Sequence, residues 1–212
     1  MRRIDLLRRS ALAAVAALGA GAALAAPQED KGETVQQETV SRPAKAIPED
    51  AGGRPAVTKL GAPEARLAEL GIELPTPPAP VANYVRAVRT GNLVFLAGHG
   101  PLRPGGGYVT GKLGEDLGVA EGYEAARLTA IALLASLKAE IGSLDRVRRV
   151  VRVEGMVNST ADFTDQSKVI NGCSDFLVEV FGERGKHARA AVGMASLPIG
   201  LAVEIHMVVE VE

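Results

Sequence analysis

Tryptophan is absent from this 212-residue chain, four phenylalanines and three tyrosines make up the aromatic set, and cysteine occurs once. A single thiol, Cys173, excludes an internal disulfide framework and any metal site built on cysteines. Histidine is almost as scarce. His99, His187 and His206 are the full complement, no two at metal-ligand spacing on a helical segment, so no metal is expected. An excess of charge is lacking too: 24 basic residues face 25 acidic ones, which argues against nucleic acid as a partner. The glycine-rich run Pro104-Gly105-Gly106-Gly107 has no P-loop or dinucleotide pattern around it and reads as a loop tip.

The amino terminus is of a different kind. Arg2, Arg3, Arg8 and Arg9 precede an almost uncharged apolar stretch, Ala11 to Ala25, that ends in small residues. Residues 1–26 therefore read as an export signal, and the protein is expected in the periplasm or another extracytoplasmic space. Arg8-Arg9-Ser10-Ala11-Leu12 loosely matches a twin-arginine signal, with alanine where a bulky apolar residue is usual, so the Sec and Tat routes both stay open. The alternative is an uncleaved anchor, although the apolar part is short and alanine-rich for a membrane span. Removing four arginines and Asp5 leaves 20 basic and 24 acidic residues, a net charge of −4. That further disfavours an anionic polymer, and no stable membrane association is expected after cleavage. Residues 27–60 lack any period and carry too little apolar surface to offset ordering entropy, so they read as a disordered linker. Residues 61–212 are the folded domain.

Within it, Pro63 to Leu70 predicts a short helix stopped by Gly71, and Glu73 to Pro80 must run extended. Tyr84–Val88 and Leu93–Leu96 predict two strands joined by the tight turn Thr90-Gly91-Asn92. Val119 to Ile141 carries an apolar stripe of Ala126, Ala130, Leu133, Leu134, Leu137 and Ile141 at helical spacing, ended by Gly142. Arg146 to Val157 predicts a strand with Val147, Val151, Val153 and Val157 on one side and a mostly basic row on the other. No aromatics interleave that row, so it reads as a solvated, charge-protected face rather than an RNA track. A second helix, Gln166 to Phe181, buries Val169, Cys173, Phe176, Leu177 and Val180. The order predicts an α+β domain with two helices on one face of a mixed sheet.

The last two strands hold the candidate chemistry. Leu201, Val203, Ile205, Met207, Val209 and Val211 alternate with Glu204, His206, Glu210 and Glu212, which puts Glu204 opposite the buried set. Arg189 stands among alanines and a glycine in His187–Met194. Paired as a hairpin through Ser196–Gly200, these strands would project a guanidinium and a carboxylate from one region with room for a ligand. The alternative is an ordinary surface ion pair, worth about 0–1 kcal/mol.

Asn83-Tyr84-Val85, Leu96-Ala97-Gly98, Arg152-Val153-Glu154-Gly155, Ala188-Arg189-Ala190-Ala191-Val192 and Leu197-Pro198 with Val203-Glu204-Ile205 occur in an order that resembles the RidA/YjgF family, the enamine/imine deaminases. The likeness covers roughly residues 62–212. It implies a chorismate-mutase-like α+β fold assembled as a homotrimer, with a ligand cleft at each interface between copies. It also implies that Arg189 binds the substrate carboxylate and Glu204 positions water. Tyr84 and Gly98 would line the cleft, and Ala191 would add a backbone N–H. His99 follows Gly98 where relatives commonly carry glutamine, and joins the substrate-binding set. Ala191 replaces a frequent cysteine, Ser174 an asparagine, and the segment at 62–80 is extra, which marks a divergent exported branch.

The implied reaction is hydrolysis of small 2-imino or 2-enamino acids to a 2-keto acid and ammonia. It needs a cationic fork for the carboxylate and a carboxylate to orient and deprotonate water. Because imines hydrolyse readily, positioning suffices and no cofactor or metal is expected. The alternative is a non-catalytic trimeric binding protein for small carboxylates, favoured by the mismatch between export and a cytoplasmic source of enamines. Ribonuclease activity fits least, given the acidic mature chain and scarce aromatics.

Overall fold

The computed structural model describes residues 62–79 and 82–212. The expected export signal and linker, and Gly61, lie outside the described residues. The order is a short helix α1 (Pro63–Glu69), strands β1 (Ala87–Thr90) and β2 (Leu93–His99), the long helix α2 (Val119–Ile141), β3 (Val147–Asn158), α3 (Gln166–Phe181), β4 (Ala188–Met194) and β5 (Val203–Val211). The strands form one sheet in the order β1-β2-β5-β3-β4. Neighbours run antiparallel except β3 and β4, which are parallel. Helices α2 and α3 pack against each other and against the sheet, the α+β arrangement expected.

Local chemistry sets these elements. The two-residue turn between β1 and β2 needs a left-handed backbone, and Gly91 supplies it at φ 58°. In β5 the residues from Val203 to Val211 alternate between buried and half-buried, so its odd-numbered side chains face the helices. The stripes of α2 and α3 meet them, and Leu133, Leu134, Leu137, Phe176 and Leu177 are essentially fully buried. Each such side chain contributes roughly 1.5–3 kcal/mol over an exposed one.

The two helices approach unusually closely at Gly172. A β-carbon there would lie 1.9 Å from the carbonyl oxygen of Tyr123 and 3.2 Å from the Arg127 nitrogen in α2. Both obstacles are backbone, so relief requires moving a helix. Gly172→Ala is expected to lower unfolding free energy by at least about 2 kcal/mol, measured by urea denaturation; an unchanged midpoint would contradict the packing described.

Three expectations need correcting. The last two strands do not pair as a hairpin: β4 lies parallel to β3, and β5 sits on the other side of β3, between it and β2. The end of β3 holds them apart, since Asn158 N–H donates to Ala202 and Ser159 N–H donates to Met194. A link of residues 195–202 is long enough to cross one strand, where a tight turn is not. Secondly, Val150 rather than Val151 joins Val147, Val153 and Val157 in the core, and Val151 is exposed. Two register shifts against β5, between Val147 and Arg149 and between Val150 and Arg152, break the period of two. Thirdly, β1 begins only at Ala87, so Tyr84 precedes the strand instead of opening it.

Candidate active site

One extra residue in β2 between Leu96 and His99 shifts its register against β5. Such a bulge re-aims the backbone at a sheet end, and a cavity of about 400 Å³ opens there. Gly98, His99, Glu204 and Tyr84 all line it. The absence of a side chain at Gly98 makes the arrangement possible: a β-carbon would stand 1.9 Å from Glu204 Oε1. The carboxylate therefore lies directly against β2 backbone, one-fifth exposed, with His206 Nε2 3.6 Å away.

Helix α2 presents Ala132, Ala135 and Ser136 to the cavity, and the extended segment ahead of β1 adds Pro75, Pro77 and Pro78. Arg86 ties that segment down by donating from Nε to the Pro78 carbonyl and from Nη2 to the Ala79 carbonyl, the latter at 3.4 Å. A mostly apolar hollow with a few convergent polar groups is the usual form of a small-molecule site. Among the described residues no cluster of three or more His, Cys, Asp or Glu side chains is placed to hold a metal ion.

His99 is buried, and both ring nitrogens are engaged: Nδ1 lies 2.7 Å from the Ala97 carbonyl and Nε2 2.7 Å from Ser136 Oγ. A carbonyl only accepts, so Nδ1 carries the proton and Nε2 accepts the Ser136 hydroxyl. Burial pushes the His99 pKa down, the Ala97 bond opposes this, and Arg86 and His206 add to the lowering. His187 is also lowered, first by burial, against its bond to Gly185 and with help from Arg189. A histidine held neutral contributes full stability above its unfolded pKa of about 6.5 and loses it as pH falls through the lower folded value. Melting temperature should therefore drop between pH 7.5 and 5.5. His99→Gln, which keeps a partner for Ser136, should make that drop shallower, with His187 supplying the remainder; an identical pH profile would contradict this.

Arg189 lies elsewhere. Its partner in β3 is Val153, fully buried under the helices, so Arg189 projects from the helix-bearing face at the sheet edge. Glu204 is paired with half-buried Met156 and projects from the opposite face. Within one chain the guanidinium and the carboxylate do not share a region, contrary to the hairpin expectation. Both follow from β4 and β5 flanking β3 with side chains of opposite parity.

The arginine is nonetheless held in place. Its Nη1 donates to Asn171 Oδ1 at 2.8 Å and to Ser174 Oγ at 3.0 Å. The Ser174 hydroxyl can donate onward to His187 Nε2 at 3.0 Å, because His187 Nδ1 bonds the Gly185 carbonyl at 2.6 Å. The remaining guanidinium donors have no partner among the described residues, and the residue is exposed. Ala191 is not in the cavity either. Because Met194 turns its carbonyl toward β3, strand alternation points the N–H groups of Arg189, Ala191 and Gly193 outward along the free edge.

Residues 64–211 match the model of the family described as "YjgF/chorismate mutase-like, putative endoribonuclease". The chain belongs to the YjgF/RidA family. The match runs from α1 through β5, so it includes the proline segment along the cavity. Protein TCP17 of Trypanosoma cruzi is 47% identical over 155 residues, 73% of this chain and 97% of that protein. Among solved structures, Atu1372 of Agrobacterium tumefaciens, of unknown function, aligns with a TM-score of 0.67 at 45% identity, covering 71% of this chain and 93% of that one. A Shewanella oneidensis protein carrying the same endoribonuclease description aligns at 0.69 with 33% identity, covering 71% of this chain and all of the other.

In this YjgF/RidA chain the sequence reading missed Arg86, Ser136, Asn171 and Ile199. Ser136 left a trace, as a polar residue inside the α2 apolar run. Asn171 lies in the irregular run Ile170-Asn171-Gly172-Cys173-Ser174. Arg86 and Ile199 left none, since their roles depend on loops.

Proposed function

We propose that the chain hydrolyses 2-imino and 2-enamino acids to 2-keto acids and ammonia without a cofactor, as a homotrimer whose sites form between copies. The observation that carries the reading is complementarity. Glu204 occupies a ligand-sized cavity whose one lining Arg or Lys among the described residues, Arg86, is tied to the Pro78 and Ala79 carbonyls, while Arg189 offers an anchored, half-used guanidinium at a free sheet edge. A neighbouring copy that brings its β4 edge to the cavity completes the set, with the outward Ala191 N–H beside the arginine. The face opposite the helices supports association as well, with Val88, Phe95 and Val192 exposed on it.

Arg189 then binds the substrate carboxylate through its remaining donors. Glu204 takes a proton from water as the oxygen attacks the imine carbon and passes it to nitrogen, giving a carbinolamine. It then takes the hydroxyl proton and delivers it to the nitrogen as C=O forms and the C–N bond breaks, leaving the keto acid and ammonia. An enamine first accepts a proton at carbon from the same carboxyl in its protonated form. The assay follows imine loss against spontaneous hydrolysis. Acceleration by the wild type is expected, and equal rates with wild type and without protein would end the reading. A keto acid bound without turnover would favour the carboxylate-binding alternative.

A further inference from the structure

Ile199 is the one non-glycine residue with positive φ among the described residues, at 49°. That conformation is disfavoured for a β-branched side chain and persists only where surroundings or function require it. The side chain is also 74% exposed, so core packing does not account for it. It lines the cavity, as do the proline segment and the small residues Ala132 and Ala135 of α2. Cavities of roughly 300–1,000 Å³ hold drug-sized ligands, so about 400 Å³ exceeds what a three- or four-carbon acid fills. An imidazole and a hydroxyl bonded to each other, His99 and Ser136, leave little unmet polarity on that side.

From this we infer that Ile199, the Pro75–Ala79 segment and the alanines of α2 form a subsite for a branched or aromatic apolar side chain on the ligand. The inference rests on the proposed imino-acid reading for the head group, and adds the substrate class. Glu204 acts at the reacting carbon while Ile199 covers the side chain attached to it.

The test is binding of pyruvate, 4-methyl-2-oxopentanoate and phenylpyruvate to the full-length protein by calorimetry, beside imine turnover. Each methylene buried strengthens binding by about fourfold, so the two larger acids should bind at least about tenfold tighter than pyruvate. Ile199→Gly, whose new residue accepts positive φ, should keep or raise Tm while removing most of that preference and leaving pyruvate within about twofold. A merely structural isoleucine would lower Tm instead. Ala135→Leu should likewise exclude the larger acids selectively. Equal binding of all three acids, no binding of any, or a uniform loss in Ile199→Gly overturns the subsite. Size-selective binding without imine turnover keeps the subsite and removes the deaminase reading; turnover confined to the smallest imine does the reverse.

Discussion

Random mixing of Arg189→Ala and Glu204→Gln chains into shared oligomers is expected to restore about a quarter of wild-type imine hydrolysis, each variant alone being inactive. The argument is geometric. Within one chain the two groups leave opposite faces of the sheet, so on the proposed reading a complete site would take its arginine from one copy and its glutamate from the next. In a ring of head-to-tail contacts, half the arginine donors and half the glutamate donors are intact, and both are intact at about one site in four. On the proposed reading Arg189→Ala would remove the carboxylate fork and with it the orientation of the imine carbon, worth several orders of magnitude in rate. Arg189→Lys is expected to recover little, because an ammonium cannot make the paired contacts. Mixed oligomers verified by mass that stay inactive, or an active Arg189→Ala homo-oligomer, would rule out a site shared between copies.

Gly98→Ala should lower kcat/KM by about a hundredfold with little change in melting temperature. The added β-carbon meets the end of a flexible side chain, Glu204 Oε1 at 1.9 Å and Cδ at 2.8 Å. The carboxylate swings aside at small cost to the fold, and on the proposed reading the water it would orient moves with it. Gly172→Ala meets fixed backbone at the same distance and gives the opposite signature, lost stability. Comparing the two variants separates a glycine kept for chemistry from one kept for packing. Retained activity in Gly98→Ala would remove Glu204 from the reaction.

The helices and the buried alternation of β5 were readable because each depends on a local period: 3.6 residues for α2 and α3, two for β5. Pairing was not. Val203–Val211 reads the same whether its neighbour is β4 or β3, and the ladders of β3 with β4 on one edge and β5 on the other decide it. The core side of β3 was misread at Val151 because bulges leave no mark in a valine-arginine run. The site divided the same way. Tyr84, Gly98, His99 and Glu204 line one cavity, while Arg189 and Ala191 do not reach it within one chain. Alternation within β5 was enough to put Glu204 opposite the buried set, whereas the face of Arg189 depended on the neighbour of β4, which the supposed hairpin misassigned. Ile199 depends on a loop conformation that its residue type disfavours, so no pattern announces it.

Cys173 sits between the two anchors of Arg189, wholly buried, its thiol pushed up to about 12 by that burial against a slight opposing pull from the guanidinium. With one cysteine in the whole chain, alkylating reagents have a single target, sealed beneath α3. Its labelling rate is therefore a clock for the lifting of α3 from the sheet, and a ligand that grips Arg189 would slow that clock from outside.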